Sequence, residues 1–429
     1  MKVSALRHNA NFRLYFAARI VSQLGDQLYV FAVSWFVLDL TKSSIHMAAL
    51  LAVNALSVMA AAPIGGLVAD RVSRKTVMVV TDVLQGVVLL ALLGLQQGHL
   101  LSLGILYAGT VLLGLASGVF SPAAGAIIPG IVGAEHVPAA VAAGQAAANF
   151  CTIAGMLLGG GLYGLVGLAG VLVFNAASNL AAAAMESRIR VDRFAMTAAA
   201  PPAPPPSSAP PLRRALGEIR DGIRQVQSDR AVFALLLVNT AFTLAVMPIG
   251  MVYMPYLFNV ILGSTPAQSA FPQASIWAGI LAGSAGAARL MRRHRPGRLM
   301  AGALLVLAVH TLLMVALTSG WAALGTSAMS AACSVANAVA GAAAAFFIVP
   351  LYSLFHARAD ERFRGRFWGL EGALRTAAMC AGYFLAGSLA QRFPIWMVFA
   401  GVGTVLAVLC VTVIRVSAAA ANGKTAAAG

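Results

Sequence analysis

The sequence predicts an all-α membrane protein, with twelve transmembrane helices arranged as two pseudo-symmetric six-helix bundles. Three observations lead there. The chain has 429 residues, of which 60% are hydrophobic and only 10% charged. Soluble chains carry about a quarter charged residues, so lipid must solvate most of this one. At about 20 apolar residues per crossing, the length accommodates about twelve crossings and their loops. Two short basic turns, Asp70–Lys75 and Arg292–Arg298, recur at similar distances from Phe12 and Ala231, where the first span of each half begins.

The elements follow in order. Met1–Asn11 is a short basic start. The first span is Phe12–Leu40 and the second His46–Ala69, followed by the Asp70–Lys75 turn. The third to sixth are Val77–Leu95, Leu101–Ala123 running on toward Pro129, Val141–Val166 and Leu168–Met185. These make an N-terminal bundle over residues 1–185. Residues 186–230 form a cytoplasmic linker, charged and with a proline-rich centre from Pro201 to Pro211. Proline fixes φ and lacks the backbone donor, so that centre is an extended, polyproline-type segment. Leu212, Leu216, Ile219, Ile223 and Val226 then recur at helical spacing with arginines between them. They form an amphipathic helix that lies on the inner membrane face or packs beneath the protein. Spans seven to twelve are Ala231–Phe258, Ser275–Leu290, Met300–Thr318, Ala322–Phe355, Phe367–Ala390 and Ile395–Ile414, a C-terminal bundle over residues 231–415. The tenth is expected to break or tilt near Pro350. Residues 416–429, rich in alanine, read as a disordered tail.

Charge placement orients the chain. With both termini in the cytoplasm, the cytoplasmic segments and their helix ends hold 26 of the 29 Lys and Arg. Lys42 and Arg392 fall outside, and Arg375 lies within a span. Short basic loops stay inside, and the opposite orientation would violate this rule almost everywhere. The net charge of +16 is a consequence of this topology, and a nucleic-acid partner is not needed to explain it. The expected location is a bacterial inner membrane. The first apolar stretch is too long for a signal peptide and contains Arg19 and Asp26, so it is expected to remain as a span. Cys151, Cys333, Cys380 and Cys410 lie in apolar runs without metal or redox spacing, and read as packing residues. No metal cluster, catalytic cluster or phosphate-cradling Gly-x-x-x-x-Gly-Lys motif is present, which argues against an enzyme and against ATP as the direct energy source. No repeated filter-like segment suggests a channel. No cofactor is expected; the proton motive force is the expected energy source.

Ionisable side chains inside a span cost about 2.5–3.5 kcal/mol on insertion scales, so they face a wet cavity or a partner. In the first span, Arg19, Ser22, Gln23, Asp26 and Gln27 share one helical stripe. The stripe reads as a cavity wall in which Asp26 contacts substrate or takes a proton. The alternative is a structural pair of Arg19 with Asp26, or hydrogen bonds to a neighbouring helix. Glu371 and Arg375, at i and i+4 in span eleven, stand in the favourable order for a helical ion pair, which leaves a structural and a functional reading open. Asp82, one turn into span three, reads as a loop-facing or interhelical group, and His310 as a packed neutral histidine. Asn149, Asn239, Thr240, Thr243, Ser334 and Asn337 line a central cavity or bond between helices.

The segment Gly65-Gly66-Leu67-Val68-Ala69-Asp70-Arg71-Val72-Ser73-Arg74-Lys75 resembles the loop between helices two and three of the major facilitator superfamily. Ser73 stands where that family most often has glycine. Asn11–Phe16, Ser22–Gln27, Leu38–Ser44 and Arg364-Gly365-Arg366 are similar to one branch of it, the macrolide-efflux and enterobactin-type siderophore exporters. The run Gly155–Gly161 resembles the glycine-rich fifth helix of its antiporters, with Met156 in place of their proline. The resemblance spans Asn11 to about Arg415. It implies a secondary transporter that exports a small amphipathic solute, a drug or siderophore, by alternating access and proton coupling. An importer built on the same fold is the alternative. It also implies a conformational gate at Gly66, Asp70, Arg71, Arg74 and Lys75, with Asp70 capping or pairing with span eleven. The expected partners are a small-molecule substrate and the lipid bilayer, with no nucleic acid, and the protein is expected to act as a monomer.

Overall fold

A computed structural model describes residues 6, 8–190, 229–320, 325–358 and 364–426. The proline-rich segment and the amphipathic stretch after it lie outside these. Among the described residues all regular structure is helical: α1 Ala10–Thr41, α2 Ser44–Arg71, α3 Arg74–Gln97, α4 Leu103–Ala126, α5 Val137–Glu186, α6 Arg230–Ile261, α7 Pro266–Leu290, α8 Pro296–Ser319, α9 Thr326–Arg358, α10 Arg364–Arg392 and α11 Ile395–Ala426. A short helical turn, Ile128–Val132, follows α4. Among the described residues, nine helices are long and apolar enough to cross a membrane.

The helix ends have local causes. Asn9 caps α1 by accepting from the Phe12 amide at 3.0 Å, and Ser102 caps α4 through the Ile105 amide at 3.3 Å. Asp229 accepts from the Ala231 and Val232 amides to start α6. Each satisfies a donor that the first helical turn leaves without a partner. At 50 residues, α5 would reach about 75 Å if straight, against an apolar bilayer of about 30 Å. It bends at Gly167, whose φ of 65° is left-handed and open to glycine at little cost. Gly167 is the residue between the fifth and sixth predicted spans. Within α6, Pro248 and Pro255 remove two ladder donors, and the backbone widens into π turns over Ile249–Tyr253 and Leu257–Ile261. α9 continues as helix through Pro350, so of the break or tilt expected there the break is absent, and the α11 helix runs to Ala426. A proline interrupts one bond of the ladder, and flanking turns on both sides hold α9 together.

The chain divides into two compact units. The first comprises Met1–Lys42, Leu50–Pro205 and Thr265–Ala270; the second comprises Ser43–Ala49, Pro206–Ser264 and Phe271–Gly429. In the first, α1 and α3 both pack on α5, and α3 also packs on α4. α2 meets α4 closely at Gly65, where a Cβ would lie 2.7 Å from Val119 Cα. One end of this unit holds an apolar cluster that includes Phe12, Tyr15, Ala69, Met78, Phe120, Ile127 and Ile189. In the second unit, α8 packs on α9 and α11, and α6 on α10 and α11. The Phe242 and Phe347 rings stack there with centroids 4.3 Å apart. Large apolar side chains also face outward along single helices: Leu305, Val309 and Leu312 on α8 are 59%, 56% and 62% exposed. Water would penalise such a stripe, whereas acyl chains solvate it.

Candidate functional site

Each unit holds polar groups clustered among its long helices. In the first unit they grow from the α1 stripe. Arg19, Gln23, Asp26 and Gln27 are all half-buried, and Ser22 is buried. The stripe lies against α5. A Cβ on Gly25 would run into Ser178 Oγ and Asn175 Oδ1, so glycine there lets the α1 backbone approach these polar groups. Gln27 Cβ lies against Gly155 in the same way. Asn179 Nδ2 donates to Asp26 Oδ1 at 3.5 Å, and also to Asn175 O and Oδ1, each at 3.0 Å. Ser178 Oγ donates to Asn175 O at 2.9 Å. Two asparagines and a serine from the second half of α5 thus hold the wall that Asp26 belongs to.

Arg19 forms no ion pair with Asp26. Its guanidinium lies 4.8 Å from the centroid of the Phe120 ring, a cation–π position. From there it acts electrostatically on three carboxylates: Asp26, Asp82 and Glu186. Asp82, on α3, is 1% exposed. Gln85 Nε2 donates to its Oδ1 at 3.5 Å, and Ser117 Oγ on α4 donates to Gln85 Oε1 at 3.2 Å. Asp82 is therefore buried and bonded within its own helix, with Gln85 linking it to α4, and it faces no loop. Glu186, the last residue of α5, is 0% exposed. Read from the sequence, it opens the linker. The signal was present: Asn175, Asn179, Ala182 and Glu186 fall on one helical stripe.

Not every expected residue joins. Asn149 lies in the first half of α5, where its Oδ1 accepts from Gln145 Nε2 on the same helix at 3.4 Å. In the Gly65–Lys75 turn, a Cβ on Gly66 would meet nothing within 4 Å, so only Gly65 marks a close helix contact. Asp70 and Arg71 are exposed, and Arg74 and Lys75 half-buried. Arg74 Nη1 donates to Ala126 O at 2.7 Å, tying the start of α3 to the end of α4. A cation at a helix C-terminus meets the negative end of the dipole and an orphan carbonyl.

In the second unit the centre is Glu371 on α10. Its Oε1 accepts from Tyr352 OH at 2.7 Å and from Asn239 Nδ2 at 3.2 Å, and lies 3.6 Å from Arg375 Nε. Glu371 is buried, whereas the Arg375 side chain is 48% exposed. Three helices therefore converge on one oxygen. Tyr352 is further fixed by stacking on Trp368, 5.6 Å between centroids. The sequence pointed to Asn239, Glu371 and Arg375, and missed Tyr352, which lies on a different helix from the acid it serves. His310 is buried and its Nε2 lies 3.0 Å from Asn337 Oδ1, while Asn337 Nδ2 donates to Pro272 O at 3.0 Å. Both are interhelical contacts. Among the described residues no group of three or more His, Cys, Asp or Glu is placed to hold a metal ion.

The profile of the Major Facilitator Superfamily matches residues 15–370 of the chain. An uncharacterised MFS-type transporter, YfiS of Bacillus subtilis (strain 168), is 24% identical over 409 residues, 95% of this chain and 93% of that protein. Among solved structures, a bacterial homologue of the iron transporter ferroportin, in an inward-facing state, is similar with a TM-score of 0.71 at 15% identity, over 95% of this chain and 99% of that one. The nucleoside transporter NupG is similar with a TM-score of 0.71 at 12% identity, over 95% of this chain and 99% of that one. At such identities the likeness shows a shared fold, and the transported solutes differ.

Proposed function

Given that the chain belongs to the major facilitator superfamily, and is a multi-pass membrane transporter of a small molecule, we propose that it exports a small amphipathic solute in exchange for protons. Twelve crossings, both termini in the cytoplasm and a bacterial inner membrane complete the reading. In it, two six-helix bundles alternate access to a midplane cavity. The solute is a drug or a siderophore, as in the exporters that Asn11–Phe16 and Ser22–Gln27 resemble. Asp70, Arg71 and Arg74 act at the cytoplasmic gate.

The observation that carries the proposal is Asp26. It is an ionisable group on a membrane-length helix, half-buried, hydrogen-bonded by the Asn179 and Asn175 side chains and in no ion pair among the described residues. An acid at such a depth with no cation paired to it is costly to retain unless it takes part in a cycle of protonation or binding. Gln23 and Gln27 beside it supply polar contacts for a solute.

Efflux of ethidium from everted vesicles and from proteoliposomes, with and without a pH gradient, tests the reading. Asp26→Asn should abolish pH-driven efflux while expression is retained. Unchanged efflux would remove Asp26 from the role, and accumulation against the exporting direction would establish an importer.

A further inference from the structure

The turn between α7 and α8 is strongly basic, and transport of a solute does not call on it. Arg289, Arg292, Arg293, His294, Arg295 and Arg298 fall within ten residues, and no Asp or Glu lies among them. All six are exposed. Among the described residues none of them is ion-paired with an acid. The backbone beneath them is fixed. The Met291 amide donates to Ala287 O at 3.0 Å, and the Arg293 and His294 amides donate to Leu290 O at 3.0 and 2.9 Å. A Cβ on Gly297 would run into Ser417 Oγ, so α8 starts hard against α11.

Orientation alone leaves this excess unexplained. The turn after α2 manages with Arg71, Arg74 and Lys75, and carries Asp70 among them. Helix ends explain only part of it. Arg289, Arg292 and Arg293 close α7, where the dipole is negative. Arg295 stands at the cap of α8 without a side-chain capping bond, and Arg298 lies in the first turn. There the dipole is positive, which disfavours a cation and favours an anion. Like charges on one turn also repel one another, so the group calls for an anion from outside the protein. Apolar side chains adjoin the turn. Leu290 within it, Leu305 two turns beyond Arg298 and Ile414 one turn before Ser417 are all exposed. A free phosphate or a nucleic acid would match the cations and leave that apolar surface in water. A phospholipid matches both.

We propose that the α7–α8 turn binds the headgroups of anionic phospholipids, with Arg292, Arg293, Arg295 and Arg298 on the phosphates and Leu290, Leu305 and Ile414 against the acyl chains. Arginine suits the task, because its planar fork donates two parallel hydrogen bonds to a phosphate. Each arginine near an anionic surface is worth about a fivefold preference for the charged lipid. In the orientation proposed above, the turn meets the inner leaflet. The site depends neither on the solute carried nor on its direction.

Native mass spectrometry of the full-length protein in detergent, titrated with phosphatidylglycerol or with phosphatidylcholine of the same acyl chains, reads the binding directly. Wild type should retain phosphatidylglycerol about tenfold more tightly, or better. The combined variant Arg292→Gln, Arg293→Gln, Arg295→Gln and Arg298→Gln should lose this preference. A control that removes as many exposed charges elsewhere, Arg13→Gln, Arg188→Gln, Arg190→Gln and Arg392→Gln, should keep it. Inorganic phosphate should not displace the lipid. No preference in wild type, its survival in the turn variant, or an equal loss in the control would overturn the proposal. Displacement by millimolar inorganic phosphate would make the turn a site for the free anion and overturn the lipid assignment. If the combined variant does not give monodisperse protein, the pairs Arg292→Gln with Arg293→Gln and Arg295→Gln with Arg298→Gln decide, each expected to lower the preference about fivefold or more.

Discussion

The Tyr352 hydroxyl donates to Glu371 Oε1 at 2.7 Å, the shortest of the three approaches to that oxygen. It joins α9 to α10 and anchors a buried acid. Arg375 approaches the same oxygen from a half-exposed position, where water screens it. A hydrogen bond to a charged group contributes about 1.5–3 kcal/mol. A solvent-screened ion pair contributes about 1 kcal/mol or less. Tyr352→Phe should therefore lower the unfolding free energy by about 1.5–3 kcal/mol, and Arg375→Ala by about 1 kcal/mol or less. Thermal or denaturant unfolding in detergent checks the order; a larger effect of Arg375→Ala would show that the ion pair holds the acid.

Arg74 bridges the first turn of α3 and the last carbonyls of α4 through Ala126 O. Arg74→Ala should destabilise the first unit by about 1 kcal/mol, the worth of one such bond. Arg74→Lys should recover part of this, about 0.3–1 kcal/mol, by keeping a cation at the helix end. The same unfolding measurement reads both variants. Equal stability of all three proteins would mean that the contact is worth nothing in the folded state.

Gly25 allows α1 to lie against Asn175 and Ser178. Gly25→Ala should cost about 1–3 kcal/mol through overpacking. It should also weaken the Asn179–Asp26 contact, since the helices must separate. Ser178→Ala in the same chain should restore part of the loss, because the two side chains compete for one space. A double-mutant cycle on unfolding free energy tests this; strict additivity would place the clash elsewhere.

Val72 lies in the turn between α2 and α3 and is 46% exposed. With both termini in the cytoplasm, Val72→Cys should react with a membrane-impermeant maleimide in everted vesicles and not in intact cells. The four native cysteines are buried or partly buried and should give little background. Labelling from the outside of intact cells would reverse the topology.

Much of the helical architecture was legible because it depends on properties local to the chain. An apolar run long enough to cross a bilayer, a capping Asn or Asp, a glycine at residue 167 and a basic turn can each be recognised without knowing what lies alongside. At Pro350, where the sequence suggests a break or a tilt, the helix continues without a break, and local reading could not choose between the two. A proline reveals a missing donor, while the turns around it decide whether the helix survives.

By itself, the sequence determined that this is a lipid-embedded helical protein, where most of its helices run, and that α1 carries a polar stripe from Arg19 to Gln27. Only the tertiary structure decided what those polar groups meet. Hydropathy records how apolar a helix is and says little about its rotation against a neighbour from a remote part of the chain. Glu186 reads as linker, and Asp82 as either loop-facing or interhelical, until α3 and α5 are packed together; Tyr352 is one aromatic among many until α9 lies beside α10. Electrostatic and hydrogen-bonded contacts depend on distances of a few ångströms between helices, and those distances are set by packing.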